Sequence, residues 1–367
     1  MIDERILKRE EKAVLALRSL YRSRGYLPYK MSKFEEFEFY MKNKDFLVSD
    51  RIIAFNDTNG RLMALKPDVT LSIVKHGEDE RGCKQKVYYD ENVYRVSDST
   101  GQFRELRQVG LECIGDVDLY DVYEAVSLGA QSLGTISEQF VLEVSHLGVL
   151  SEVLEEICSE DTFQREALRC IGEKNSHELW TLCETWGLSE KDRSRLLTLV
   201  SVYGERRSVL ASLEEVCRED SPARRELAQL SRMLDGSPFG DRIFFDFSVV
   251  NDMSYYNGIV FKGYVSGISQ GVLSGGRYDK LMAKLGRSAG AVGFALYLDL
   301  LEQLPVEKRG VDVDVLLLYT ETDDPACVER AVRRLTAKGR TVSAQRGIPR
   351  ALRAGKVITL GKEEELC

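Results

Sequence analysis

Hydrophobic positions early in the chain recur at helical spacing. Over residues 3 to 24, Ile6, Leu7, Val14, Leu17, Leu20 and Tyr21 sit among many charges, with Gly25 where a C-cap glycine belongs, so the pattern predicts an amphipathic helix. From Lys86 to Gly115 the period changes to two, with β-branched and aromatic residues interrupted by the polar run Ser97-Asp98-Ser99-Thr100-Gly101. Two antiparallel strands joined by a loop are expected there. A helix from Leu119 to about Leu133 and a strand from Phe140 to Ser145 follow. Residues 150 to 235 contain a single proline, Pro222, few glycines and amphipathic runs such as Arg225-Glu226-Leu227-Ala228-Gln229-Leu230. That composition predicts a helical insertion. Strand texture returns at Arg242 to Val250 and Ile259 to Val265. After it come a glycine-rich turn, Ser274-Gly275-Gly276-Arg277-Tyr278-Asp279, a helix, and Gly290-Ala291-Val292-Gly293-Phe294-Ala295.

A linker around Pro305 to Gly310 divides this core, residues 1 to 305, from a tail at 311 to 367. The tail reads as a strand at Asp312 to Tyr319, a helix at Pro325 to Lys338, and short strands at Arg340 to Ser343 and Val357 to Leu360. It makes a small or truncated α/β domain. No repeat is evident.

Composition narrows the function classes. The 51 Lys plus Arg against 59 Asp plus Glu leave a net charge of −8, with 43% hydrophobic and 30% charged residues. Such a chain is globular rather than disordered. An acidic balance disfavours nucleic acid as the main partner, because that affinity comes largely from a basic footprint. No apolar run approaches the roughly 18 residues that a membrane span requires. The start Met1-Ile2-Asp3-Glu4-Arg5 lacks signal-peptide order, so a cytoplasmic location is expected. Eight cysteines (Cys83, Cys113, Cys158, Cys170, Cys183, Cys217, Cys327 and Cys367) show no C-x-x-C, and the three histidines are His76, His146 and His177. No metal site is expected from that pattern, and most of the cysteines read as reduced core residues.

Candidate chemistry concentrates on the strand ending at Gly115. At period two Arg104, Leu106, Gln108, Gly110, Glu112 and Ile114 share a face. If that face is buried, Gln108 and Glu112 need partners, and Gly110 leaves a hollow between them in which a small ligand fits. If it is solvated, the pattern says nothing about a ligand. Asp68 and Thr70, in Leu65-Lys66-Pro67-Asp68-Val69-Thr70, offer an acid and a hydroxyl two apart, or simply a helix N-cap. Asp68 and Glu112 suit a cationic group such as an α-ammonium, and Arg95 suits a carboxylate. The glycine pair at 275 and 276 most often serves backbone geometry. No Ser-His-Asp or Cys-His signature exists, so no catalytic residue is assigned.

The order of these segments adds to their separate readings. Leu65 to Thr70, then Tyr94-Arg95 with Phe103 to Glu112, then Tyr255-Tyr256-Asn257-Gly258-Ile259-Val260-Phe261, Gly275 to Asp279 and Ala291 to Ala295 resemble, in sequence, the catalytic core of class II histidyl-tRNA synthetases. The resemblance implies an α+β fold, an antiparallel sheet flanked by helices, and a homodimer. It also implies a histidine pocket at Asp68, Thr70, Arg95, Gln108, Glu112 and Tyr256, with Asp68 replacing a longer glutamate.

Four positions depart from that pattern. The family's catalytic arginine falls on Asn251, its ATP-clamping arginine on Leu300, a small residue on Tyr297, and a glutamate on Ser97. Adenylation relies on cations to stabilise developing charge, so their loss implies that amino-acid activation is gone. A synthetase-like core with that loss resembles the regulatory subunit of ATP phosphoribosyltransferase. What this implies is a non-catalytic chain, without cofactor, that partners a short-form catalytic subunit in the first step of histidine biosynthesis and transmits histidine feedback. Two alternatives remain: a divergent synthetase or ligase, and a stand-alone amino-acid sensor or RNA-binding relative. The segment from Glu307 onward has 12 basic against 10 acidic residues and one aromatic, Tyr319, which suits an RNA platform poorly.

Overall fold

A computed structural model describes residues 7–44, 47, 51–77, 82–97, 100–250, 255–305 and 310–361. The chain forms two compact units, Met1–Leu304 and Pro305–Cys367.

In the first unit the period-two run folds into two 13-residue strands, Lys84–Val96 and Phe103–Gly115. They pair antiparallel along their whole length, from Lys84 opposite Gly115 to Val96 opposite Phe103. They belong to a nine-stranded sheet whose order is Leu27–Pro28, Lys84–Val96, Phe103–Gly115, Gly290–Tyr297, Leu273–Arg277, Ile259–Val265, Phe140–His146, Ile243–Asp246 and Tyr203–Gly204. Most neighbours in the sheet pair antiparallel, as the resemblance implies. The sheet is mixed, because Leu27–Pro28 runs parallel to its neighbour and Ile243–Asp246 runs parallel to Phe140–His146.

Helices cover this sheet for the reason their patterns suggest. Ala13, Val14, Leu17 and Tyr21 form the buried stripe of the helix Arg9–Ser23, which ends just before Gly25 at φ +81°. Ile6, counted in that stripe, lies outside the described residues. The helix Leu119–Ile136 runs one turn beyond its expected end, and its buried face is apolar apart from Asp121, Glu124, Ser127 and Ser132, of which Asp121 and Glu124 pair with Lys84 and Lys86 of the sheet. Six helices from Leu147 to Leu234 make up the region read as a helical insertion. Ser189 and Ser221 cap two of them through their hydroxyl oxygens, and Pro222 occupies the first turn of the last.

Two further readings are corrected. The strand anticipated from Arg242 to Val250 covers only Ile243–Asp246; the chain turns after Asp246, whose carboxylate accepts from the Ser248 N–H at 2.8 Å. The glycine-rich turn at 274 to 279 is instead the strand Leu273–Arg277, central in the sheet. Its glycines are there for close approach: a β-carbon on Gly275 would lie 2.8 Å from Cζ of Phe261, and one on Gly276 2.8 Å from Cδ1 of Tyr256. A small sheet of Phe34–Glu36, Leu62–Leu65 and Ala54–Asn56, which the hydrophobic pattern gave no sign of, leads into Lys66 and the helix Val69–His76.

The second unit has a parallel three-stranded sheet, Val342–Gln345, Val313–Leu318 and Ala354–Thr359, with the helix Pro325–Ala337. Val315, Leu317, Ala331, Leu335 and Ile358 form its core. In the first unit Cys113, Cys170 and Cys183 are buried free thiols. No helix among the described residues is long and apolar enough to cross a membrane, and none of their His, Cys, Asp and Glu side chains cluster in threes as metal ligands would.

Candidate functional site

Strand register builds the floor of a cavity of about 360 Å³ in the first unit. Glu112 lies opposite Gly293, Gly110 opposite Ala295 and Gln108 opposite Tyr297; on the next strand Gly293 is opposite Gly276 and Ala295 opposite Ser274. Side chains at alternate positions share a face, so Gly293, Ala295 and Ser274 form a low floor with Glu112 at one end. Asp68, Thr70, Arg95, Gln108, Glu112 and Tyr256, the six residues singled out in the sequence, all line this one cavity.

Their settings differ. Glu112 is 1% exposed, and its carboxylate accepts from the Thr70 hydroxyl at 2.7 Å and the Tyr278 hydroxyl at 2.6 Å. Burial pushes its pKa up to about 8 and the nearby Asp68 charge adds to this, while the two hydroxyls pull the other way. Asp68 does both things open to it: it lines the cavity and also caps the helix Val69–His76, accepting from the Leu71 N–H at 2.8 Å. Burial raises its pKa as well, against the pull of the Leu71 N–H and the Arg95 charge. Two acids thus face one small space, a setting that favours a cationic guest over an empty cavity.

The remaining walls are tied to these acids. Arg95 stands on the same face of the neighbouring strand, lines the cavity and donates through Nε to the Pro67 carbonyl at 3.1 Å. Lys66, fully buried, donates to Glu91 at 2.9 Å, and its carbonyl accepts from the Tyr94 N–H at 2.8 Å. The segment carrying Asp68 is in this way stitched to the strand carrying Arg95. Tyr256 hydrogen-bonds Ser274, and Tyr255 hydrogen-bonds Thr70.

The hollow expected over Gly110 is not open. Tyr89 lies opposite Gly110, and a β-carbon there would fall 2.6 Å from Cζ of the tyrosine ring, so the phenol occupies the space the glycine leaves. Nine lining residues were not among the candidates, Tyr89, Tyr278 and Gly293 being the ones that shape the space around Glu112 and Gly110. The tyrosine in Arg277-Tyr278-Asp279 was visible as part of a motif, but the register that aims it at Glu112 was not. Of the positions that depart from the synthetase pattern, Tyr297 lines the cavity, Leu300 packs against the apolar core, and Asn251 lies outside the described residues. Ser97 donates its N–H to the Gln102 carbonyl at 2.8 Å in the hairpin loop, whose residues 98 and 99 are also outside the described residues.

The histidyl-tRNA synthetase family model matches residues 2–301. An ATP phosphoribosyltransferase regulatory subunit from Moorella thermoacetica is 31% identical over 298 residues, covering 78% of this chain and 75% of the relative. The chain belongs to the ATP phosphoribosyltransferase regulatory subunits, within the histidyl-tRNA synthetase family. Its fold is accordingly that of class II synthetases. A crystal structure of an ATP phosphoribosyltransferase regulatory subunit/histidyl-tRNA synthetase from Bacillus halodurans matches with a TM-score of 0.77 at 25% identity, over 96% of this chain and 93% of that one. A chain of the ATP phosphoribosyl transferase complex from Thermotoga maritima shares the fold at a TM-score of 0.63 and 22% identity, over 79% of this regulatory-subunit family member and 97% of that chain.

Proposed function

We propose that this chain is the regulatory subunit that a short-form ATP phosphoribosyltransferase catalytic subunit needs for activity in the first step of histidine biosynthesis, and that histidine feedback passes through it. The observation that carries the reading is the pairing of a cavity fit for an amino acid with a leucine, Leu300, where an ATP-clamping cation would stand. Asp68 and Glu112 accept from cationic N–H groups, Arg95 meets the carboxylate, and Gln108, Thr70 and Tyr256 supply neutral partners for the rest of a histidine. Feedback requires histidine to bind two states of the complex unequally, and a buried, charged pocket gives such a difference wherever its walls shift. The chain's own synthetase chemistry is lost on this reading. It works in the cytoplasm, as a homodimer within a hetero-oligomer, and requires no cofactor of its own.

The test is co-purification with a short-form catalytic subunit, followed by assay of that subunit with and without this chain. Association and a rise in activity that histidine reverses are expected. No association and no change in activity would overturn the reading.

A further inference from the structure

Four residues of the strand Gly290–Tyr297 line the cavity, and three of them, on the face shared with Glu112, follow in order of increasing size: Gly293, Ala295 and Tyr297. The first two belong to the low floor. The third sits beyond it, opposite Gln108, where the floor would otherwise run on as an open trough. Its backbone is fixed there, since the Tyr297 N–H donates to the Val272 carbonyl at 2.8 Å. Its side chain is half-buried and lies within the electrostatic reach of both Arg95 and Asp68. Register puts the aromatic wall and the guanidinium at the same end of the cavity: Tyr297 stands opposite Gln108 and Arg95 opposite Arg104, both on the side of Gly110 away from Glu112. A carboxylate docked on Arg95 has the Tyr297 ring beside it, and any group attached to that carboxylate would have to enter the volume of the ring.

We infer that Tyr297 limits this cavity to amino acids with an unsubstituted carboxylate, and shuts out ligands extended from that end by an ester or nucleotidyl group. The inference rests on the amino-acid reading of the cavity given above and deepens it. It works by steric exclusion, which rejects a larger ligand without adding affinity for the smaller one.

The probes are L-histidine, L-histidine methyl ester and the sulfamoyl-adenosine conjugate of histidine, titrated calorimetrically into the full chain and into Tyr297→Ala and Tyr297→Phe. The ester loses charge as well as gaining bulk, so the quantity read is the change in preference between variants. Removing the ring should narrow the preference for free histidine over both extended ligands by about tenfold or more, whereas the phenylalanine variant keeps it. If Tyr297→Ala fails to fold, Tyr297→Leu takes its place, with the same expectation. Histidine binding with an unchanged preference in the opened variant overturns the role of Tyr297 alone. Absence of histidine binding to every variant overturns the amino-acid reading, and the wall with it.

Discussion

Gly293 faces Glu112 across two paired strands, and a β-carbon on it would lie 2.6 Å from Cδ of Glu112 and nearer still to Oε2. The buried carboxylate thus has its place because this glycine has no side chain. The neighbour cannot simply yield, since both Glu112 oxygens are held by Thr70 and Tyr278. Gly293→Ala should cost about 1–3 kcal/mol through overpacking and should weaken histidine binding at least as much as Glu112→Ala. Denaturant titration and calorimetry on the same samples check both. Unaltered stability would mean that the strands relax around the added methyl.

Glu112 also sets a pH dependence of stability. Its carboxyl titrates near 4.5 in an ordinary setting and near 8 in the fold. Below 4.5 it is protonated in both states. Between those values the folded chain holds a proton that the unfolded chain has released, so stability falls as pH rises, by up to about 1.4 kcal/mol per pH unit, and levels off above 8. Glu112→Gln should flatten this slope. Unfolding free energies measured from pH 5 to pH 8 on both proteins decide it, and identical slopes would remove Glu112 as the cause.

The pair of Lys66 and Glu91 is expected to behave as a buried ion pair. Lys66→Met leaves Glu91, 14% exposed in its side chain, without its cation at a cost of about 3 kcal/mol. Adding Glu91→Gln removes the stranded charge, so the double variant should recover much of that loss. A double-mutant cycle by chemical denaturation measures the coupling, and additive effects would argue that the pair contributes nothing beyond packing.

Exchange of pyrophosphate into ATP in the presence of histidine should stay at background, since a leucine packed against the core offers no charge to phosphates. Robust exchange by the purified chain would contradict the proposed loss of synthetase chemistry.

Much of the fold was legible because its periodicities are clean. The paired 13-residue strands, the helix after them and the Phe140 strand declare themselves by spacing alone. The same is true of Gln108 and Glu112, whose shared face follows from the period of two. Other features depend on contacts far apart in sequence. Gly275 and Gly276 look locally like turn glycines, and only Phe261 and Tyr256 closing over them explain why a strand needs them. Tyr89 filling the hollow above Gly110 is likewise a fact of register rather than composition. The small sheet at 34 to 65 left no trace in the hydrophobic pattern because its strands are largely exposed, Ala54–Asn56 along its whole length.

Asp68 does more than line a cavity, since the helix it caps is tied down at its other end too. That helix, eight residues and about 12 Å long, carries Lys75 in its last turn, which donates to Glu35 of the small sheet at 2.6 Å. The helix is a strut braced at both ends, one on the cavity wall and the other on the outer sheet. The cavity wall at Asp68 and the buried Glu35 of the small sheet are therefore the two anchor points of one short rigid element.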